Sequence, residues 1–220
     1  MSHAEQAVPQ GSVLRYNFKE RLTHWITAVS YGYLLMTGLA FWSPWLFWMA
    51  VILGGGQVSR MLHPWVGLIF AVCVLIMFGM WATQMHVDEN DKNWFKSVGY
   101  YVRNEDEQMP PAGRYNAGQK SLFWGFVVCM VLLLLSGLVL WSPQYFAWHS
   151  LIAMRIAILI HVLSALLTIG LFLIHVYMGV FAERGALDSM VHGDVSMHFV
   201  KRYHPGWYEE ITGQTASPKK

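Results

Sequence analysis

Four histidines, His24, His63, His161 and His175, lie in or at the edges of long apolar runs. An imidazole in such a place serves either as an interhelical hydrogen-bonding group or as a metal ligand. The stretch "ILIHVLSALLTIGLFLIH", residues 158–175, holds two of the four, fourteen residues apart. An α-helix turns about 100° and rises about 1.5 Å per residue, so fourteen residues fall roughly 40° short of four turns and climb about 21 Å. His161 and His175 therefore share one helix face at two depths, one toward each surface of a bilayer.

A bilayer is indicated by the composition. Apolar residues make up 55% of the 220-residue chain and charged residues only 13%, about half the share usual in soluble domains. A hydrocarbon core of about 30 Å takes roughly 20 apolar residues as a helix. Four runs qualify, at about 24–43, 64–83, 121–141 and 155–182, followed by a tail, 183–220. His24 opens the first run and His63 the second, where Pro64 suits a first helical turn. The sequence thus predicts an all-α integral membrane protein, a single-domain bundle of four transmembrane helices.

Charge orients that bundle. Of the 15 lysines and arginines, only Arg60 and Arg155 fall in the 44–63 and 142–154 connections or the start of span four. The other thirteen lie on the side that holds both termini and the 84–120 loop, so the positive-inside rule makes that side cytoplasmic. A net charge of +2 gives no footprint for nucleic acid, and the polar first 22 residues lack the apolar core of a cleavable signal peptide. Short helices are expected around 93–102 and, as an amphipathic interfacial segment, over 187–200. Cys73 and Cys129 sit mid-run and read as small buried hydrophobes.

Topology pairs the histidines. His24 and His175 belong to the cytoplasmic half, His63 and His161 to the half on the opposite side. Two imidazoles on one metal place their ligating nitrogens only about 4 Å apart, which excludes the crossed pairing. Zinc wants four ligands and each depth offers two, whereas haem iron takes two axial ligands because the porphyrin supplies the rest. No C-x-x-C-H is present for covalent attachment, so two haems b are expected. Small residues near the histidines, Gly38, Gly67, Ser164, Ala165, Thr168 and Gly179, leave room for a macrocycle or serve ordinary helix packing. The remaining histidines, His3, His86, His149, His192, His198 and His204, read as hydrated or partner-facing. With both axial positions filled, such haems carry electrons rather than bind substrate.

An electron acceptor is suggested by "GRYNAGQK", residues 113–120, at cytoplasmic interface depth. The amides of Asn116 and Gln119 either hydrogen-bond a quinone or form a capping box at the start of span three. No iron–sulfur cysteine cluster, Gly-rich phosphate loop or nucleophile motif accompanies them.

Beyond these residues, "RLTHWITA", "RMLHPWVG", "GRYNAGQK", "ILIHVLSA", "FLIHVYMG" and "KRYHPGWYEE" resemble the cytochrome b556 (gamma) subunits of respiratory formate dehydrogenases, from about Arg15 to Ile211. That resemblance implies His63 and His161 on a periplasmic haem b, His24 and His175 on a cytoplasmic haem b, and a menaquinone or ubiquinone site with Asn116, His175 and, by proximity, Gln119. It also implies two partners, a molybdenum- or tungsten-containing catalytic alpha subunit and an iron–sulfur beta subunit, and residence in the bacterial inner membrane. The chain itself would hold no formate-oxidising site and would act as the electron-transfer and quinone-reducing subunit. The sequence departs from the family pattern in three places. Ser142 stands where a Trp-Arg-Pro is usual, with Arg155 or Arg60 as alternative cations. His86 is alone after span two, and the tail reads Tyr203, His204, Pro205, Gly206, Trp207. Similar membrane cytochromes serve nickel–iron hydrogenases and other molybdoenzymes. A reading of another class, a non-redox anchor or a proton-relaying transporter, uses the same histidines without haem.

Overall fold

The structure, a computed structural model, describes residues 9–103, 105, 108–146 and 150–216. It is mostly helical, and its start signals recur. Helix α1 (Phe18–Trp42) is opened by a reciprocal pair: the Glu20 amide donates to Asn17 Oδ1 (3.0 Å) and the Asn17 amide to Glu20 Oε2 (2.7 Å). Asp88 and Asp91 do the same for α4 (Glu89–Lys96), and Asn116 and Gln119 for α6 (Ala117–Trp141). Each box satisfies two helix-end amides that otherwise have no partner.

A 3-10 turn (Pro44–Leu46) and α2 (Trp48–Ile52) lead to α3 (Gly56–Trp81). Here the structure corrects the sequence reading. Pro64 lies inside α3, eight residues after its start, and His63 lies two turns in rather than opening the helix. The start is set by Gly54 and Gly55, whose φ values of +96° and +94° suit glycine and reverse the chain. Hydropathy marks where lipid begins; the helix extends a further two turns through polar Gln57 and Arg60. His24 likewise falls within α1 rather than at its first turn.

Helix α5 (Val98–Val102) is separated from α4 by a break at Ser97, so the single helix expected over 93–102 is two pieces. After α6 come α7 (Pro143–Phe146) and α8 (Leu151–Val176), which continues as a π-helical turn (Tyr177–Ala182). Three helical stretches among the described residues are long and apolar enough to cross a membrane: Gly56–Gln84, Ala117–Trp141 and Leu151–Ala182. The tyrosines, glycines and His24 of α1 keep it less hydropathic than these three.

By backbone contacts the chain divides into two compact units. The first comprises residues 22–81 and 124–173. Ala71, Val74 and Met130 form one of its buried clusters, flanked by Phe70, Met77, Val127 and Leu134. Many of its large apolar side chains face outward, among them Val29, Leu135 and Leu163. In water that would be untenable; against lipid tails it is the expected surface. Cys73 and Cys129 are buried free thiols, as read from the sequence.

The second unit comprises the residues up to 21, 82–123 and those from 174 onward. Strand β1 (Ser12–Leu14) pairs antiparallel with β2 (Asp194–Ser196), Val13 opposite Val195. The amphipathic helix expected over 187–200 is therefore interrupted. Helix α9 (Ala186–Val191) ends before Gly193, whose φ of +102° turns the chain into β2, and α10 (Met197–Tyr203) follows, capped by the Ser196 hydroxyl. Helix α11 (Pro205–Thr212) closes the described chain. Val195, Phe199, Val200 and Trp207 form this unit's core, with Val13 of β1 against it.

Candidate functional site

In the first unit, α3 and α8 bring His63 and His161 together. Their ring centres are 6.5 Å apart and their planes inclined at 58°. A ligating imidazole nitrogen lies about 2 Å from its metal and the ring centre about 1 Å further, so two rings on opposite sides of one ion are centred roughly 6 Å apart. The pair thus has the spacing at which both imidazoles would hold one metal ion. No group of three or more metal-ligating side chains occurs among the described residues, so a four-ligand site of the zinc type is absent there.

Each ring meets a hydroxyl. Thr37 Oγ1 of α1 lies 2.7 Å from His63 Nδ1, and Ser136 Oγ of α6 lies 2.9 Å from His161 Nδ1. Next in sequence stand Gly38 and Gly137. A Cβ at Gly38 would come within 3.9 Å of His63 Cε1, and one at Gly137 within 3.3 Å of His161 Cε1. Both rings are thereby held by one nitrogen, leaving the other for a metal. The donor set fits haem iron. Neither Thr37 nor Ser136 is legible as a site residue from sequence, because each is 25 or 26 positions from its histidine. Of the small residues read as clearance, Gly38 does face a histidine, whereas the nearest contact of a Cβ at Gly67 is Leu34. Thr168 donates to the Ala165 carbonyl and accepts from the Tyr31 hydroxyl.

His24 lies near the start of α1 with its ring edge-on to Trp25 (5.5 Å), and His175 in the last turn of α8, just before the π-helical turn. The two belong to different compact units.

In the second unit, Asn116 and Gln119 hold the capping geometry, one of the two roles their types and spacing leave open, and their side-chain amides have a further task. Asn116 Nδ2 and Gln119 Nε2 donate to the two carboxylate oxygens of Glu183, both at 3.3 Å. Glu183 is buried and terminates the π-helical turn; sequence reading gave it no role. One position further, Lys120 makes an ion pair with buried Asp91 (2.6 Å) and reaches Asp88 at 3.7 Å. The Asp88 carboxyl is held below the usual carboxylate range, chiefly by the Asp91 amide.

His204 corrects an expectation. Read as hydrated or partner-facing, it is fully buried, and its Nδ1 donates to the Gly113 carbonyl (2.8 Å). Burial, aided by the Arg15 charge, depresses its pKa to about 3, so it is neutral. Around it, Arg15 Nη2 donates to the Arg114 carbonyl (3.2 Å), and Arg114 Nη2 returns a bond to the Arg15 carbonyl. The Arg15 guanidinium lies 5.3–6.0 Å from the ring centres of Tyr16, Tyr115, Phe199 and Trp207, within cation–π range. Burial pushes the Tyr115 phenol upward. Among the other histidines, His86, His192 and His198 are exposed, and His3 and His149 lie outside the described residues.

Long apolar helices with paired imidazoles between them define a class, the helical membrane cytochromes b. The chain belongs to the prokaryotic cytochrome b561 family, whose model matches residues 15–193. It is a membrane electron-transfer protein of that family, for which haem b is the implied cofactor. It is 34% identical to the formate dehydrogenase cytochrome b556(fdo) subunit of Escherichia coli K12, over 93% of this chain and 95% of that protein. It is 30% identical to the nitrate-inducible formate dehydrogenase cytochrome b556(Fdn) subunit of the same organism, over 94% of each. The formate dehydrogenase cytochrome b556 subunit of Haemophilus influenzae is 31% identical, over 90% of this chain and 83% of that protein.

Proposed function

We propose that this chain is the dihaem cytochrome b subunit of a formate dehydrogenase, carrying electrons from a periplasmic iron–sulfur partner to quinone at the cytoplasmic face. Four spans, including α1, form one membrane domain with both termini cytoplasmic, consistent with the distribution of lysine and arginine. His63 and His161 hold the periplasmic haem, His24 and His175 the cytoplasmic one. Bound there, haem b would supply one-electron exchange, and with both imidazoles engaged it would leave no position for a substrate.

The observation that carries this reading is the His63–His161 pair, 6.5 Å between ring centres, with both Nδ1 atoms turned to hydroxyls. The chain's residues set depth, orientation and exclusion of water. Thr37 is fully buried and Ser136 nearly so. Asn116, Gln119 and His175 form the quinone site, menaquinone or ubiquinone, with the amides held in place by Glu183. Formate oxidation belongs to a separate molybdenum- or tungsten-containing subunit, consistent with the names of the relatives.

The test is spectroscopic and compositional. The complex purified through this chain is expected to bring down a formate-oxidising subunit and an iron–sulfur subunit. It should also show a b-type α band that formate reduces and a quinone analogue reoxidises. Absence of the band overturns the haem reading, and a hydrogenase subunit in place of the formate-oxidising one overturns the assignment of partner.

A further inference from the structure

Granting His63 and His161 as axial ligands, as proposed above, we infer that Thr37 and Ser136 lock both imidazoles in the Nδ1–H tautomer and set the potential of that one haem. Each hydroxyl has a single proton. Thr37 Oγ1 lies 2.8 Å from the carbonyl of Tyr33, four residues back, and Ser136 Oγ lies 2.6 Å from that of Leu132, also four back. Donation to those carbonyls is the usual habit of a hydroxyl within a helix. Secondary contacts to Leu34 (3.2 Å) and Leu133 (3.3 Å) point the proton the same way. With its proton so committed, the oxygen that faces Nδ1 at 2.7 or 2.9 Å can only accept. The imidazole must then carry its proton on Nδ1 and present the Nε2 lone pair, the arrangement an axial ligand needs.

The device occurs twice in the same form. A hydroxyl residue followed by glycine, Thr37-Gly38 on α1 and Ser136-Gly137 on α6, receives one histidine from α3 and one from α8. The hydroxyl accepts a hydrogen bond from Nδ1–H, while the glycine stands beside Cε1, where a Cβ would make ordinary contact at Gly38 (3.9 Å) and a tight one at Gly137 (3.3 Å). The fold thus builds two matching sockets for the two rings of one site. Both oxygens are removed from water, so no solvent substitutes for them. An acceptor on Nδ1–H makes the imidazole a stronger donor to iron and favours the oxidised state. Thr37 and Ser136 are therefore positioning residues that hold the potential of the periplasmic haem down.

The experiment is a redox titration of the α band in the intact membrane complex for Thr37→Val, Thr37→Ser and Ser136→Ala. Expected are two b haems in every variant and an upward shift in the midpoint of the same single haem for Thr37→Val and Ser136→Ala. Thr37→Ser should match the parent. Unchanged midpoints in the variants lacking a hydroxyl, or an equal shift in Thr37→Ser, would overturn the proposal. If Thr37→Val fails to assemble, Ser136→Ala carries the same test. His161→Ala that retains both haems would instead sink the underlying haem reading, so the two failures are distinguishable.

Discussion

Among the described residues of the unit formed by 22–81 and 124–173, the buried polar side chains are serines and threonines: Ser30, Thr37, Ser59, Ser136, Ser164 and Thr168. In the other unit they are mostly charged or strongly polar: Arg15, Glu20, Asp91, Asn116, Lys120, Glu183 and His204, with Ser189 the one serine among the described residues and the phenols of Tyr16 and Tyr115 also buried. The contrast follows from what each group needs. A hydroxyl in a helix satisfies its proton on its own backbone four residues back, as Thr37, Ser136 and Ser121 do, and still has lone pairs to offer. It is the least costly polar group to bury among lipid-length helices. A buried charge has no such local remedy and needs a partner from elsewhere in the chain. The first unit can therefore hold imidazoles in an apolar setting, and the second can be held together by ion pairs and amide–carboxylate bonds.

Four measurements bear on that contrast, beginning with the largest effect. His161→Ala removes one socket's ligand and should cost the periplasmic haem while sparing the cytoplasmic one, reducing the α band by about half. Equal loss of both, in protein shown to be folded, would break the assignment of depths. Lys120→Met leaves Asp91 buried without its cation. Breaking such a pair typically costs about 3–5 kcal/mol, and the variant should melt earlier in detergent while the α band assigned to the proposed His63–His161 site is kept. A haem lost together with the melting shift would show that the two units do not behave as separately as their chemistry suggests.

Gly193→Ala tests the β1–β2 pairing. The added Cβ would lie 2.7 Å from the Tyr16 carbonyl at a φ of +102°, a conformation that costs an ordinary residue about 1–3 kcal/mol. The expected result is faster amide exchange in β1 and β2 with an unaltered α band. The smallest effect is acid sensitivity through His204. Its pKa is about 3 in the fold against about 6.5 unfolded, so the unfolded chain binds the proton more readily. Its contribution is complete above about pH 6.5 and declines below that at up to about 1.4 kcal/mol per pH unit. Protease release of the tail should rise from pH 7 to pH 5.5 and lose that dependence in His204→Asn.

Much of the first unit was legible in the residues. The existence of its long helices depends on neighbours within a few turns, as does the start of α6 at Asn116 and Gln119 in the other unit. Helix ends were less legible: Pro64 and His63 were placed at the start of α3, because hydropathy reports the lipid boundary while Gly54 and Gly55 set the fold. The tail was misread over 187–200, where a periodic pattern was overridden by one left-handed glycine and a strand partner far back in the sequence.

By itself, then, the sequence determined which long segments are helical, how far apart along α8 its two histidines stand and which family pattern the chain follows, since periodicity and hydropathy act locally. Only the tertiary structure decided what each of those groups touches. Thr37 meets His63 across 26 positions, Ser136 meets His161 across 25, Asn116 reaches Glu183 across 67 and His204 reaches Gly113 across 91. No local rule links such positions. They are joined because burying a donor or acceptor alone is costly, and the fold brings a partner to each.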